Sequence, residues 1–292
     1  MSFEAHLFLA LLEGTVSAAV LAVTALGLAL VFGVMRVVNV AHGAFFMLGA
    51  VFAWWCARAV GSPLAGFAAA LVVAPLGVAA VAGVIDRLIL RRVGYSPEPT
   101  IVATIGLVYV LEQATLMAFG PDARSVEPPF YFRIAFPWFG YSGYKLAVAA
   151  AAIILLLGVG FVLTHTRLGL VMRATQYDRE TAQNFGIPVG RVYAAVFAAG
   201  AALAAVAGVL VLPIRQAHYL MGQDVLLLSF IVVTLGGLGS LRGTLVAALL
   251  IGMSDGVISV FFSPTVAKIL ATLLVALVLV YRPAGLFGTG RP

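Results

Sequence analysis

The stretch TVSAAVLAVTALGLALVFGV at residues 15–34 contains no charged side chain, and its only polar side chains are two threonines and one serine. At a rise of about 1.5 Å per residue, about 20 helical residues cross the roughly 30 Å hydrocarbon core of a bilayer. The stretch therefore predicts a helix that spans a membrane.

The composition of the whole chain extends this prediction. Of 292 residues, 63% are hydrophobic and 10% are charged, whereas a soluble domain is about half apolar and about one quarter charged. A water-soluble core could not bury so much apolar side chain, so lipid must solvate part of the surface. Nine candidate spans follow: 15–34, 43–57, 64–85, 101–119, 146–163, 192–214, 225–238, 244–262 and 266–281.

These spans predict an all-α fold, a polytopic transmembrane helical bundle with roughly 8–10 crossings. No ten-residue alternation of apolar and polar residues is present, which argues against strands of a membrane barrel. Residues 43–57 and 225–238 are short, and we expect half-helices or broken spans there. Gly43 and Gly243 each follow a basic or ionisable residue and precede an apolar run, so an internal repeat is one interpretation.

Basic residues predict the orientation in the membrane. If nine spans alternate, eleven Lys and Arg residues fall on one side and six on the other, and the richer side is expected to be cytoplasmic. The N-terminus is then outside and the C-terminus cytoplasmic. The aromatic gap 120–145 is predicted to lie outside, and the polar gap 164–191 inside. The richer side holds Arg36, Arg87, Arg91, Arg92, Arg167, Arg173, Arg179, Arg191, Arg242, Arg282 and Arg291.

The net charge of +6 is not gathered into a basic stripe, so we expect no nucleic-acid partner.

The gap 164–191 reads THTRLGLVMRATQYDRETAQNFGIPVGR. Its charges have both signs, and Gly186 followed by Pro188 is a typical end of a helix that begins near Asp178. The segment predicts a short helix at the cytoplasmic surface. An ordinary amphipathic connection between two spans is the alternative.

Two polar features interrupt the apolar spans. Asn39 and His42 are three residues apart, so a helical turn would place them on one face. There His42 would bind substrate or form a pH-sensitive gate. The alternative is that both residues merely cap the next helix. Glycines at 236, 237 and 239 allow positive φ or close helix contact, and such a break usually lines a cavity or is shielded by protein.

Carboxylates lie in or near three apolar runs, at Glu13, Glu112 and Asp255. Intramembrane carboxylates are costly and are candidates for function by default. Glu112 lies deepest, and it is either a proton relay of an ion-coupled carrier or a paired structural residue.

Energy conversion and catalysis are not expected in this chain. A P-loop requires Gly-Lys-Ser/Thr, but Lys145 and Lys268 follow tyrosine and alanine. The motif GYSG around Ser142 matches a short pattern of intramembrane serine proteases, but neither His165 nor His218 is at a suitable depth for a dyad. A glycine–serine turn is the better interpretation, so the chain is predicted to be neither an enzyme nor a cofactor or metal protein.

Five segments, in order along nearly the whole chain, resemble ABC-importer permeases of the branched-chain amino acid type. The loop 164–191 is similar to the family's cytoplasmic loop, in which an Arg-Ala pair precedes a helix that ends in a Gly-Ile step. The other matching segments are NVAHG at 39–43, ATIGL at 103–107 with Glu112, Gln113, Phe119 and Gly120, LGGLGS at 235–240 with Gly243, and the ending Arg282, Pro283 and Gly285–Gly288.

The resemblance implies a single permease domain over residues 1–292 in a bacterial inner membrane. It implies two ABC ATPase subunits, a second related permease and a periplasmic substrate-binding protein as partners. The cargo would be a branched-chain or other hydrophobic amino acid, and urea or short amides are the alternative cargo within the same family. The alternative from another class of protein is an ion-coupled carrier or channel that works alone. The residues assigned to the ATPase coupling loop are Arg167, Arg173, Ala174, Asp178, Glu180, Gly186 and Ile187. The candidates for the translocation pathway are Asn39, His42, Gly43, Thr104, Glu112, Gly236, Gly237 and Gly239.

Overall fold

The computed structural model describes residues 3–282 and 284–288, so Pro283 and Arg291 lie outside the described residues. A two-stranded antiparallel hairpin of β1 (Arg133–Ala135) and β2 (Gly140–Ser142) lies in the long gap that follows residue 119. The helices are α1 (Phe3–Met35), α2 (His42–Val60), α3 (Pro63–Ile85, continued by a π-helical turn Asp86–Leu90), α4 (Pro97–Phe119), α5 (Gly143–His165), α6 (Arg167–Tyr177), α7 (Arg179–Asn184), α8 (Val189–Val211), α9 (Met221–Gly236), α10 (Leu241–Phe261) and α11 (Pro264–Tyr281).

Within the described residues, eight helices are long and apolar enough to cross a membrane. The all-α polytopic fold is therefore confirmed, and each of the nine predicted spans falls on a helix. The short run 225–238 lies in α9, which has only 16 residues and a length of about 24 Å. This helix is too short for a full crossing by itself.

Helix α1 begins twelve residues before the predicted span, at Phe3 rather than at position 15. The prediction placed the start after Glu13 because an unpaired carboxylate is unfavourable in lipid. In the structure Glu13 is paired with Lys145 of α5, with Nζ 2.6 Å from Oε1. The pair allows the helix to continue through this position.

The core of the bundle is built around α1 and α8. In its most apolar window, α1 is 89% buried and α8 is 67% buried, compared with 17% for α5 and α11. The outer helices expose apolar residues such as Val102, Ile154 and Leu277, as expected for a surface that meets lipid.

Glycines allow α1 and α10 to pack along their length. A Cβ at Gly252 would overlap the backbone of Ala18, and one at Gly256 would overlap that of Gly14. Small residues at such contacts are typical of membrane helix packing, because close backbone approach gains dispersion energy where no hydrophobic driving force exists between helices.

The connections gather at two opposite faces. At one face, Phe8 of α1 packs against Phe136 with ring centroids 5.0 Å apart, and Arg124 pairs with Ala217 through both backbone groups. We call this the aromatic face. At the other, Gln176 of α6 donates to the Gly239 carbonyl at 3.4 Å. We call this the arginine-rich face; it includes the ends of α1, α5 and α9, the turn 86–96 and the helices α6 and α7.

Replacing Gly252 with leucine should destabilise the bundle, because the new side chain cannot fit against Ala18; overpacking of this kind typically costs about 1–3 kcal/mol. The measurement is the melting temperature of the detergent-solubilised protein. The matched control is Gly158→Leu on α5, where a Cβ meets nothing within 4 Å. Equal melting temperatures for the two variants would contradict the close packing of α1 and α10.

Candidate functional site

The chain turns back into the bundle between α1 and α2. Residues 36–41 are not helical, and Arg36 has φ of +54° at the end of α1. His42, the first residue of α2, donates from Nε2 to the Thr24 carbonyl at 2.8 Å. Thr24 lies eleven residues before the end of α1, or about 16 Å along the helix. Helix α2 therefore begins well inside the bundle rather than at its arginine-rich face.

The predicted residues Asn39, His42 and Thr104 come together at this break. The side chain of Asn39 is 1% exposed, and its Oδ1 accepts from the backbone N–H of Ala41 at 3.1 Å. The Thr104 hydroxyl of α4 accepts from the backbone N–H of Val40 at 3.2 Å. Two atoms at the break, Asn39 Nδ2 and His42 Nδ1, have no partner among the described residues.

The N-terminal ends of α2 and α9 meet beside this break. A Cβ at Gly43 would overlap the Gly222 carbonyl, and a Cβ at Gly222 would overlap that of Gly43. Only glycine allows two backbones to approach so closely. The first turns of α2 and α9 are therefore in direct backbone contact.

Glu112 lies farther along α4 and is 5% exposed. Its two carboxylate oxygens accept from one donor, Nε2 of Gln223 in the first turn of α9, at 3.1 and 3.3 Å. The other two carboxylates differ: Glu13 is paired with Lys145, and Asp255 lies near Arg215 and Lys268. Of the three, only Glu112 has no cationic partner in the part of the chain that is described.

Sequence reasoning missed three side chains of this region. Gln223 is the partner of Glu112, and an amide at the start of an apolar run was the available signal. Thr100 lies one helical turn before Thr104, and Ser229 lies on the same face of α9 as Gly222, where α9 meets α2. The hydroxyls of Thr100 and Ser229 are buried without a partner among the described residues.

The predicted glycines of LGGLGS lie apart from this cluster, at the arginine-rich face. Gly237 and Gly239 have φ of +102° and +85°. Gly236 packs against Gly243, and its carbonyl accepts from the Phe287 N–H at 3.1 Å. The structure thus shows a tight turn packed on residues 284–288, and a role of these glycines in translocation stays a prediction.

The polar gap 164–191 contains two helices instead of one. The side chain of Asp178 caps α7: Oδ1 accepts from the backbone N–H of Glu180 and Thr181, and Oδ2 accepts from the Thr181 hydroxyl. These hydrogen bonds lower the pKa of Asp178, with the Thr181 hydroxyl as the largest cause. The carboxylate therefore stays ionised at neutral pH and holds the first turn of the helix.

The end of α7 has the geometry of a Schellman motif. Gly186 has φ of +80°, its N–H donates to the Gln183 carbonyl at 2.9 Å, and the Ile187 N–H donates to the Ala182 carbonyl at 3.0 Å. These are the two bonds that define the motif, and they require the left-handed conformation that glycine adopts without strain. The predicted helix end at Gly186 is confirmed.

The other predicted loop residues take different positions. Arg173 donates from its guanidinium to the Leu163 carbonyl, so it ties α6 to the end of α5. Arg167 and Glu180 are exposed and Ala174 is half-buried. Two aromatic side chains that the sequence analysis did not select, Tyr177 and Phe185, are 83% and 82% exposed on either side of α7. Exposed aromatic residues are typical of surfaces that bind a protein partner.

Comparison with known proteins gives the family. The model described as "Branched-chain amino acid transport system / permease component" matches residues 10–280. The high-affinity branched-chain amino acid transport system permease protein BraD of Pseudomonas aeruginosa is 25% identical, over 97% of this chain and 96% of the relative. The corresponding LivH proteins of Escherichia coli K12 and Salmonella typhimurium are 26% and 25% identical, over 91% of each chain. No solved structure matches the chain significantly. Because the family model covers nearly all of the sequence, this chain belongs to the family of permease components of branched-chain amino acid transport systems.

Proposed function

We propose that this chain is one of two membrane subunits of a bacterial ABC importer for branched-chain or other hydrophobic amino acids. It works with a second related permease, two cytoplasmic ATPases and a periplasmic substrate-binding protein. Family membership supports the assignment to an importer, and the cargo follows from the names of the relatives. Urea or short amides are the alternative cargo, and a ligand screen of the cognate binding protein distinguishes them.

The single observation that carries the proposal is the ordered loop 164–191. A helix capped by Asp178 and ended by Gly186 stands at the arginine-rich face with Tyr177 and Phe185 exposed on either side. A loop without a partner would not be expected to expose two large aromatic residues beside a well-capped helix. We assign this surface to the ATPase, which places the arginine-rich face in the cytoplasm, in agreement with the positive-inside rule.

Transport then follows from alternation between two states of the bundle. Closure of the ATPases moves the loop, and the bundle changes between outward and inward access. The two states must differ in their contacts with the ATPase, because a partner that binds both equally shifts no equilibrium. Within the membrane, the cluster of Asn39, His42, Thr104 and Glu112 is the proposed part of the translocation pathway, since buried polar atoms without partners lie there.

Changing Gly186 to proline should uncouple uptake from ATP hydrolysis. Proline holds φ near about −65° and has no N–H, so it removes both the conformation and the bond to Gln183. Arg173→Glu should have the same effect by releasing α6 from Leu163. The measurement is substrate uptake per ATP hydrolysed in proteoliposomes that contain the complete transporter.

The matched control for these variants is Gly190→Ala in the first turn of α8, where a Cβ meets nothing within 4 Å. All three proteins should insert into membranes at the same level. Normal uptake by the Gly186→Pro and Arg173→Glu variants at normal expression would contradict the assignment of the ATPase contact.

Changing Glu112 to glutamine should lower the rate of uptake by about tenfold, because a hydrogen bond to a charged group contributes roughly 1.5 kcal/mol or more. Initial rates with the complete transporter are the measurement. Glu98→Gln, the same substitution at the exposed start of the same helix, is the control and should transport normally. A different result would assign another function: if the chain alone transported substrate driven by an ion gradient, and the Glu112→Gln variant lost this activity, the chain would be an ion-coupled carrier.

A further inference from the structure

The turn between α3 and α4 holds a buried ionic cluster at the arginine-rich face. Asp86 begins the π-helical turn and its side chain is 1% exposed. Its Oδ2 lies 2.8 Å from Nε of Arg91, and its Oδ1 accepts from the Tyr95 hydroxyl at 3.0 Å. A buried carboxylate with two such donors is satisfied, and loss of one donor leaves it partly unpaired.

Tyr95, a member of this cluster, has an unfavourable backbone conformation. Its φ is +55°, a region that costs a bulky residue of order 1–3 kcal/mol and persists only where the surroundings enforce it. Burial, and secondarily the Asp86 carboxylate, raise the pKa of Tyr95 to about 12. The hydroxyl therefore stays protonated at neutral pH and remains a donor to Asp86.

The ring of Tyr95 contacts the beginning of α8, which follows the loop. Its centroid lies 4.9 Å from that of Tyr193, with the two planes at 79°, an edge-to-face arrangement that is favourable for aromatic pairs. The guanidinium of Arg179, the first residue of α7, lies over the Tyr193 ring at 5.5 Å from its centroid. A continuous series of contacts therefore runs from α7 through Tyr193 to Tyr95.

Tyr95 also stands two residues before α4, which begins at Pro97. Helix α4 is held weakly by the bundle, because only 22% of its most apolar window is buried. Its buried polar face bears Thr104, which bonds to Val40 at the break before α2, and Glu112, which bonds to Gln223 in the first turn of α9. A displacement of its first residues would therefore be transmitted to both contacts.

We propose that Tyr95 and Tyr193 are positioning residues that link the loop helix α7 to α4, so that movement of α7 displaces the helix that carries Thr104 and Glu112. The inference rests on the proposed function and adds to it the path by which the ATPase contact reaches the membrane interior. Coupling through this path requires two arrangements of its contacts.

An open cavity beside the cluster gives the link room to move. Its volume is about 460 Å³, and its lining includes Arg91 and Tyr95 of the turn 86–96, Gln183 and Gly186 at the end of α7, and Arg191 of α8. The turn 86–96 and the end of α7 are thus separated by open space, with the two tyrosine rings as the packed contact next to it. A shift of α7 can change the geometry of this contact without unfolding the cluster around Asp86.

The test compares two tyrosine hydroxyls in the complete transporter. Tyr95→Phe keeps the ring but removes the bond to Asp86, and should lower uptake per ATP hydrolysed by about threefold or more. Tyr144→Phe is the control, because the Tyr144 hydroxyl also donates from a buried position, to the Leu210 carbonyl at 2.9 Å, at the other end of the bundle. Tyr193→Leu, which removes the second ring and leaves the Asp86 cluster intact, should have the same effect as Tyr95→Phe.

A distance measurement provides a readout that does not depend on the cargo. Spin labels at Asn184→Cys in α7 and Met117→Cys in α4, in a Cys56→Ser background, should show a distance change when ATP binds to the assembled complex. Tyr95→Phe and Tyr193→Leu should reduce that change, and Tyr144→Phe should not.

The proposed link would be overturned if Tyr95→Phe and Tyr193→Leu both kept the wild-type uptake per ATP hydrolysed and the wild-type distance change. It would also be overturned if these two variants and Tyr144→Phe lost both equally. ATP-driven uptake by the wild-type complex identifies these outcomes as failures of the link alone. Absence of such uptake would instead be a failure of the proposed function.

Discussion

The structure depends on the rule that a backbone polar group inside a bilayer must find its partner within the protein, because no water is available there. Uninterrupted helices satisfy this rule by themselves, whereas each break needs a partner from elsewhere in the bundle. At the break before α2, the N–H of Val40 is satisfied by the Thr104 hydroxyl and that of Ala41 by the Asn39 side chain. The polar side chains of the interior are therefore first of all a requirement of the broken helix.

The same break leaves buried polar atoms without partners in the described part of the chain, which is why we propose it as part of the translocation pathway. Partners for the backbone are supplied, but Asn39 Nδ2 and His42 Nδ1 are left without one among the described residues, and each such group costs about 1–3 kcal/mol when buried. A state in which water or cargo reaches these atoms would recover part of that cost. The arrangement would suit two conformations of similar energy, which the proposed alternating access requires.

Helix α4 connects this interior to the surface. It exposes an apolar face, buries a polar one and is joined to the loop region through the turn that holds Asp86 and Tyr95. The central helix α1 is instead packed against α10 through glycines that leave no room for a side chain. The bundle thus combines a tightly packed centre with a peripheral helix that carries polar residues, and under the proposed link this peripheral helix responds to the partner.

The sequence alone determined the membrane class, all nine apolar helices, the polar loop helix with its end at Gly186 and the family, because these depend on local composition, chain length and turn chemistry. It placed Asn39 and His42 together from their spacing, and it added Thr104 to the candidates only through resemblance. Tertiary structure decided that α1 begins before Glu13, that Gln223 is the partner of Glu112 and that Tyr95 contacts Tyr193. It also separated the glycines around Gly237 from the polar cluster. These contacts join residues about a hundred or more positions apart, and the placement of the glycines depends on how one segment packs against another. A local sequence pattern contains no information on which distant side chain will supply a missing partner.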